Sequence, residues 1–187
     1  MLDSPDVGST TRVDGPSNNA IGSDVNGSRT AANNPVPPVE ELFPFPLDGF
    51  QLEAIDSLNQ GHSVVVSAPT GSGKTLVGEY AIHRALAHGQ KVFYTTPLKA
   101  LSNQKLRDFR HQFGHEKVGL LTGDLSLNRE AQVVVMTTEI FRNMLYAEID
   151  HLDDDPLADV EAVVLDECHY MNDTQRGTVW EESIIHC

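Results

Sequence analysis

Asp166, Glu167, Cys168 and His169 follow an apolar run, Ala162–Leu165, and two acids beside a cysteine and a histidine are types that can do chemistry. They could ligate a metal or act as a paired acid and base. A second cluster lies upstream in SVVVSAPTGSGKT, Ser63 to Thr75. There an apolar run enters a glycine-bearing loop that opens an amphipathic stretch. The pattern matches G-x-x-x-x-G-K-[ST] except that Ala68 stands at the first glycine.

The residue types suit a phosphate cradle. Ala68, Pro69, Thr70, Gly71, Ser72 and Gly73 form the loop. Gly71 and Gly73 let the backbone approach phosphate oxygens with no Cβ in the way. N–H groups at a helix start point at an anion, and the helix dipole adds to the attraction. Lys74 reaches the β and γ phosphates of ATP, and Thr75 offers its hydroxyl to Mg²⁺. Such a loop needs an acid at the end of a neighbouring strand to hold the metal. Asp166 follows Ala162–Leu165 and fills that role, while Glu167 orients and deprotonates the attacking water. Zinc is the competing reading of the acid, cysteine and histidine cluster. No second Cys-x-x-Cys or His-x-x-x-His closes a four-ligand set near Cys168 and His169, and His111 and His115 lack the Glu of an HExxH arrangement.

These residues need a scaffold. Of 187 residues, 40% are hydrophobic, in clear Val, Leu and Ile runs, so one domain with a core fits. Residues 1–38 are rich in Gly, Ser, Asn and Pro and poor in aromatics; they read as a disordered tail, and the domain as 39–187. Helices are expected over Phe50–Leu58, Gly73–His88, Leu98–Phe113 and Glu139–Ala147, and strands over Ser63–Ser67, Lys91–Thr95, Val118–Leu121, Val133–Met136 and Val160–Leu165. Continuous apolar strands alternating with helices give an α/β fold with a mainly parallel sheet flanked by helices.

A net charge of −14 argues against coating nucleic acid by bulk charge, without excluding a local basic strip. Much of the acid lies at Glu148–Glu161, which reads as a solvated loop. Two cysteines make no disulfide framework, so the cytoplasm or another reducing compartment is expected. No apolar run approaches a membrane span, and no secretory signal is visible.

APTGSGKT at 68–75, TTPLKALSNQK at 95–105, LTGD at 121–124, VMTTEIFRNML at 135–145 and DECH at 166–169 together resemble the ordered motifs of superfamily-two DExH-box helicases. YMNDTQRGTVWEESII at 170–185 is similar to the superkiller (antiviral), exosome-assisting RNA helicases. The resemblance covers about Phe45 to Cys187. It implies a RecA-like P-loop NTPase domain that stops before a Ser-Ala-Thr motif and a second RecA-like domain. It also implies ATP and Mg²⁺ as cofactors, RNA as substrate (DNA of the same superfamily remaining open) and an RNA-decay or RNA-processing complex as partner. A nucleotide-gated binding module without turnover is the other expectation. For the chain alone, little turnover is expected.

Under that resemblance Phe45 and Gln51 read adenine, with an ordinary helix-surface role as the alternative for Gln51. Thr96, Pro97, Lys99, Thr122, Gly123, Thr137 and Thr138 hold nucleic-acid phosphates, Thr96 and Pro97 also capping and opening a helix. His169 links the ATP site to the nucleic-acid side, and Trp180 packs rather than stacking on a base.

Overall fold

The computed structural model describes residues 34–150, 157–172 and 177–185. Along the chain lie α1 (Val39–Leu42), α2 (Gly49–Asn59), α3 (Thr75–His88), β1 (Lys91–Thr96), α4 (Lys99–Phe113), β2 (Val118–Thr122), β3 (Leu125–Leu127), β4 (Val133–Thr137), α5 (Thr138–Asp150), β5 (Val160–Leu165), a 3-10 turn (Cys168–Asn172) and α6 (Gly177–Ile185). The strands form one sheet in the order β3-β2-β4-β1-β5. Every pairing is parallel except β2 with β3, a hairpin at one edge. The α/β, mainly parallel architecture is therefore as expected.

Alternation along each strand sets the two faces. Val92 and Tyr94 of β1, with Val133 and Val135 of β4, pack with Ile82 and Ala85 of α3 and Leu106, Phe109 and Phe113 of α4. Phe93, Val134 and Met136 point the other way, against Phe141 and Leu145 of α5. Both faces of the central strands β1 and β4 are covered, so these strands read as unbroken apolar runs rather than alternating ones. Gly89 ends α3 with φ 70°, the left-handed stop that glycine takes at low cost. Trp180 is buried at 1% exposure, in keeping with packing.

Four expectations need correction. Ser63–Ser67 is not a strand: none of the five strands pairs with it, and Val65 is 92% exposed. Apolar content alone cannot make a strand, because backbone N–H and C=O groups need a lateral partner. Helix α4 starts at Lys99 with Leu98 at its cap, so Pro97 does not open it and Thr96 does not cap it. Thr96 instead ends β1, in register with Thr137 of β4. The hairpin strand β3 went unforeseen because three residues carry too little pattern to read. Finally, Val36 belongs with the core: it packs against Phe43, Ile55, Leu76 and Tyr80, so the break in composition at 38 is not a break in packing. The rest of the tail, through residue 33, and residues 151–156 of the acidic segment lie outside the described residues, while the ends of that segment belong to α5 and β5 rather than to a loop.

Candidate functional site

In a parallel sheet the C-terminal strand ends share one rim, where ligands bind in open α/β folds. Thr96, Thr122, Thr137 and Leu165 end β1, β2, β4 and β5. The rim therefore gathers the motif residues of four chain segments, with Asp166 and Glu167 immediately after β5.

The loop before α3 is closed on itself. Gly71 and Gly73 sit at φ 81° and 80°, a region glycine alone occupies freely. Ser72 Oγ donates to Pro69 O at 2.7 Å. The Lys74 ammonium donates to Ala68 O at 2.6 Å and Pro69 O at 2.8 Å, inside the loop's curve. A Cβ at Gly73 would come within 2.8 Å of Gln51 Nε2. Gln51 is 5% exposed, so it is not an ordinary surface residue of α2. Its Oε1 accepts the Asp48 N–H at 2.8 Å, and its Nε2 donates to Gly73 O at 3.0 Å. Phe45 is 54% exposed, with its ring 6.1 Å from that of Phe43.

Asp166 continues the β1–β5 ladder, its N–H donating to Thr95 O at 3.0 Å. Its carboxylate accepts the Glu167 N–H on Oδ1 at 2.9 Å and the Tyr94 hydroxyl on Oδ2 at 2.7 Å. Lys105 Nζ of α4 lies 3.4 Å from Oδ2. Burial, reinforced by the Asp166 carboxylate, pushes the Tyr94 phenol well above its ordinary pKa, so it stays a donor. Glu167 has φ 59°, an uncommon state for a residue with a Cβ and one that recurs at functional sites. It projects to solvent, and His169 Nδ1 lies 3.1 Å from its Oε2. His169 is itself largely exposed, with its ring 4.8 Å from that of Tyr170. Cys168 is exposed, and its thiol reaches only Leu165 O.

The donors fit a magnesium nucleotide. A threonine hydroxyl and a carboxylate are hard oxygen ligands. Two left-handed glycines and an inward ammonium make a concave loop for phosphate, with no Cβ at positions 71 and 73.

A cleft of about 550 Å³ lies along the same rim, lined by Pro97, Leu98, Lys99, Ala100, Thr122, Gly123, Asp124, Thr137 and Glu139. Most of the threonine hydroxyls turn inward. Thr96 Oγ1 meets Ser102 Oγ at 2.7 Å, and Thr138 Oγ1 donates to Thr96 O at 3.2 Å. Thr122 Oγ1 donates to Asp124 Oδ1 at 3.0 Å. Thr96 and Thr138 thus brace the loops, leaving Lys99, Thr122, Gly123 and Thr137 to line the cleft. The Lys99 ammonium is paired with Asp124. That hydrogen bond, with the one from Thr122, holds the Asp124 carboxyl below its usual pKa.

Sequence reading missed Tyr94, Lys105 and Glu139. It took Asp124, with Thr122 and Gly123, as part of a phosphate contact, whereas the Asp124 carboxylate pairs with the Lys99 ammonium. Tyr94 and Lys105 carried no signal, since their role depends on β1 and α4 meeting β5.

The family described as "DEAD/DEAH box helicase" matches residues 48–187. The chain is 56% identical over 147 residues to the chloroplastic DExH-box ATP-dependent RNA helicase DExH15 of Arabidopsis thaliana, covering 78% of this chain and 13% of that protein. It is 51% identical over 150 residues to the antiviral helicase SKI2 of Saccharomyces cerevisiae, covering 80% and 11%. Among solved structures, a hypothetical ATP-dependent RNA helicase from Sulfolobus tokodaii aligns with TM-score 0.58 and 25% identity, over 79% of this chain and 45% of that one. The chain thus spans only 13% and 11% of the length of these two curated relatives.

Proposed function

The chain belongs to the DEAD/DEAH box helicase family, and on that premise we propose that it is the ATP-binding RecA-like domain of an ATP-dependent RNA helicase. One observation carries the reading. The Asp166–Glu167 pair and the Lys99 cleft belong to one rim of one sheet, and α3, which the phosphate loop opens, packs at Gly78 against Tyr94, whose hydroxyl bonds Asp166. Nucleotide chemistry and a nucleic-acid strand can then be coupled through a few shared strand ends.

In this reading Ala68, Pro69, Thr70, Gly71, Ser72, Gly73 and Lys74 cradle the phosphates of ATP. Gln51 and Phe45 flank the base. Thr75 and Asp166 would hold Mg²⁺, which would offset the negative charge of the phosphates. Glu167 accepts the proton of the attacking water, its partly exposed carboxylate facing an exposed histidine. His169 connects that acid to neighbouring surfaces. Lys99, the Thr122-Gly123 turn and Thr137 contact phosphate and sugar, which implies little sequence preference. RNA is favoured over DNA because the relative from Arabidopsis thaliana is an ATP-dependent RNA helicase.

The test is strand displacement on a 3′-tailed RNA duplex by the protein that carries this domain. We expect ATP-dependent separation, lost with Glu167→Gln. Separation that is independent of ATP, or unaffected by Glu167→Gln, overturns the proposal.

A further inference from the structure

The Asp166 carboxylate is held from three elements. Oδ1 takes the Glu167 N–H at 2.9 Å. Oδ2 takes the Tyr94 hydroxyl from β1 at 2.7 Å and faces Lys105 of α4 at 3.4 Å. Tyr94 has little freedom to turn away. It is 1% exposed, its ring stands edge-on to Phe109 at 4.9 Å, and a Cβ at Gly78 of α3 would crowd it at 3.2 Å. Its hydroxyl is therefore aimed by packing. Lys105 is less constrained: its ammonium lies 5.2 Å from the Tyr94 ring centre and 5.7 Å from that of Phe109, with part of its side chain exposed. A carboxylate has about four lone-pair sites. Two short hydrogen bonds leave room for a cation, but an ammonium at the same oxygen competes with it.

We propose that Tyr94 is a positioning residue for the Asp166 carboxylate, and that Lys105 is the counter-charge a divalent cation displaces from it. The proposal rests on reading Asp166 as the cation ligand. The two residues then act in opposite directions. Tyr94 fixes which way the carboxylate points, so that the cation meets an oriented ligand. Lys105 balances the charge while no cation is present and gives way to it. Both side chains come from elements whose ends lie at the nucleic-acid cleft, β1 ending at Thr96 and α4 starting at Lys99. A strand bound there would act on the cation site through these side chains.

The experiment is titration of the whole chain with Mn²⁺ in the presence of ADP, read by electron paramagnetic resonance, with ADP affinity measured separately in chelator. For Tyr94→Phe, Mn²⁺ affinity should fall about tenfold or more, the usual cost of losing an outer hydrogen-bond partner of a metal ligand. ADP affinity in chelator should stay within about twofold, because the Tyr94 hydroxyl bonds Asp166 rather than the phosphate loop. For Lys105→Met, Mn²⁺ affinity should rise severalfold. Tyr94→Phe equal to wild type, or a fall in both variants, overturns the proposal. Because Lys105 is partly exposed, its variant decides even if Tyr94→Phe proves unstable. Asp166→Asn binding Mn²⁺ as wild type does would instead remove Asp166 as ligand, and the reading beneath the proposal with it.

Discussion

Gln51 and Gly73, 22 residues apart, are joined by a 3.0 Å hydrogen bond from the Gln51 amide to the Gly73 carbonyl. The same amide's oxygen closes the capping box of α2 on Asp48. One buried side chain therefore both starts a helix and tethers the phosphate loop. A larger residue at 73 would be strained at φ 80°, and its Cβ, 2.8 Å from the amide, would push the tether aside.

Gln51→Glu tests the tether. Glutamate keeps the acceptor for Asp48 but sets a carboxylate against the Gly73 carbonyl. An unmatched buried polar group costs about 1–3 kcal/mol. We expect lower thermal stability and weaker ATP binding together, whereas a role in base reading alone would weaken binding without a change in the melting temperature.

Lys74→Ala removes a charge-assisted contact to phosphate, worth roughly 1.5–3 kcal/mol. Calorimetric titration with Mg²⁺–ATP should show a fall in affinity of about tenfold or more. Equal affinities would remove Lys74 from the phosphate site.

His83 stands between Phe113, at 5.0 Å, and Phe43, at 6.1 Å. Burial holds its imidazole below the ordinary value of 6.5. The unfolded chain then binds more protons, so the contribution of neutral His83 is complete above the unfolded value. It is lost as pH falls from there through the depressed folded value. Urea denaturation between pH 7 and 5 should show a stability decline that is smaller in His83→Phe. Equal slopes in the two proteins would mean that His83 does not drive it.

Thr95 is fully buried in β1, and its hydroxyl is the one buried side-chain polar atom among the described residues without a hydrogen-bond partner. Valine has nearly the same shape and no hydroxyl to desolvate. Thr95→Val should raise stability by about 1 kcal/mol. A loss of stability would show that the hydroxyl is satisfied in solution.

The sequence was most legible where chemistry constrains residue types locally. Gly71, Gly73, Lys74 and Thr75 must be contiguous to wrap a phosphate, and Asp166 must follow an apolar strand to reach the rim. Helix α3 was readable from the spacing of Val77, Tyr80, Ala81 and Ala85, all of which are buried. The Ser63–Ser67 run misled because strand formation depends on a lateral partner that composition cannot show. Thr96 and Pro97 misled for a related reason: a threonine before a proline suits a helix cap, but pairing with β4 carried β1 one residue further. Tyr94 and Lys105 were invisible because they lie 72 and 61 residues from Asp166 and meet it only across the folded sheet.

The Lys99–Asp124 pair makes the last prediction. Lys99 is half-exposed at the cleft and Asp124 more so, and their ammonium and carboxylate are in direct contact. Asp124 is also braced by Thr122, so the acid keeps its place beside the lysine. A phosphate entering the cleft has to take Lys99 away from Asp124, and Glu139 on the same lining adds repulsion. Exposed ion pairs are weak, with a median of about 0–1 kcal/mol, so the exchange is feasible. Asp124→Asn leaves the brace from Thr122 in place while removing the competing charge. It should tighten binding of single-stranded RNA, measured by anisotropy of a labelled oligonucleotide. Lys99→Ala should weaken binding similarly across sequences and reduce the salt slope by about 0.7, the share of one phosphate contact on a single strand. If Lys99→Ala leaves the slope unchanged, the cleft does not hold phosphate. If Asp124→Asn weakens binding while the fold is intact, Asp124 supports the strand rather than competing with it.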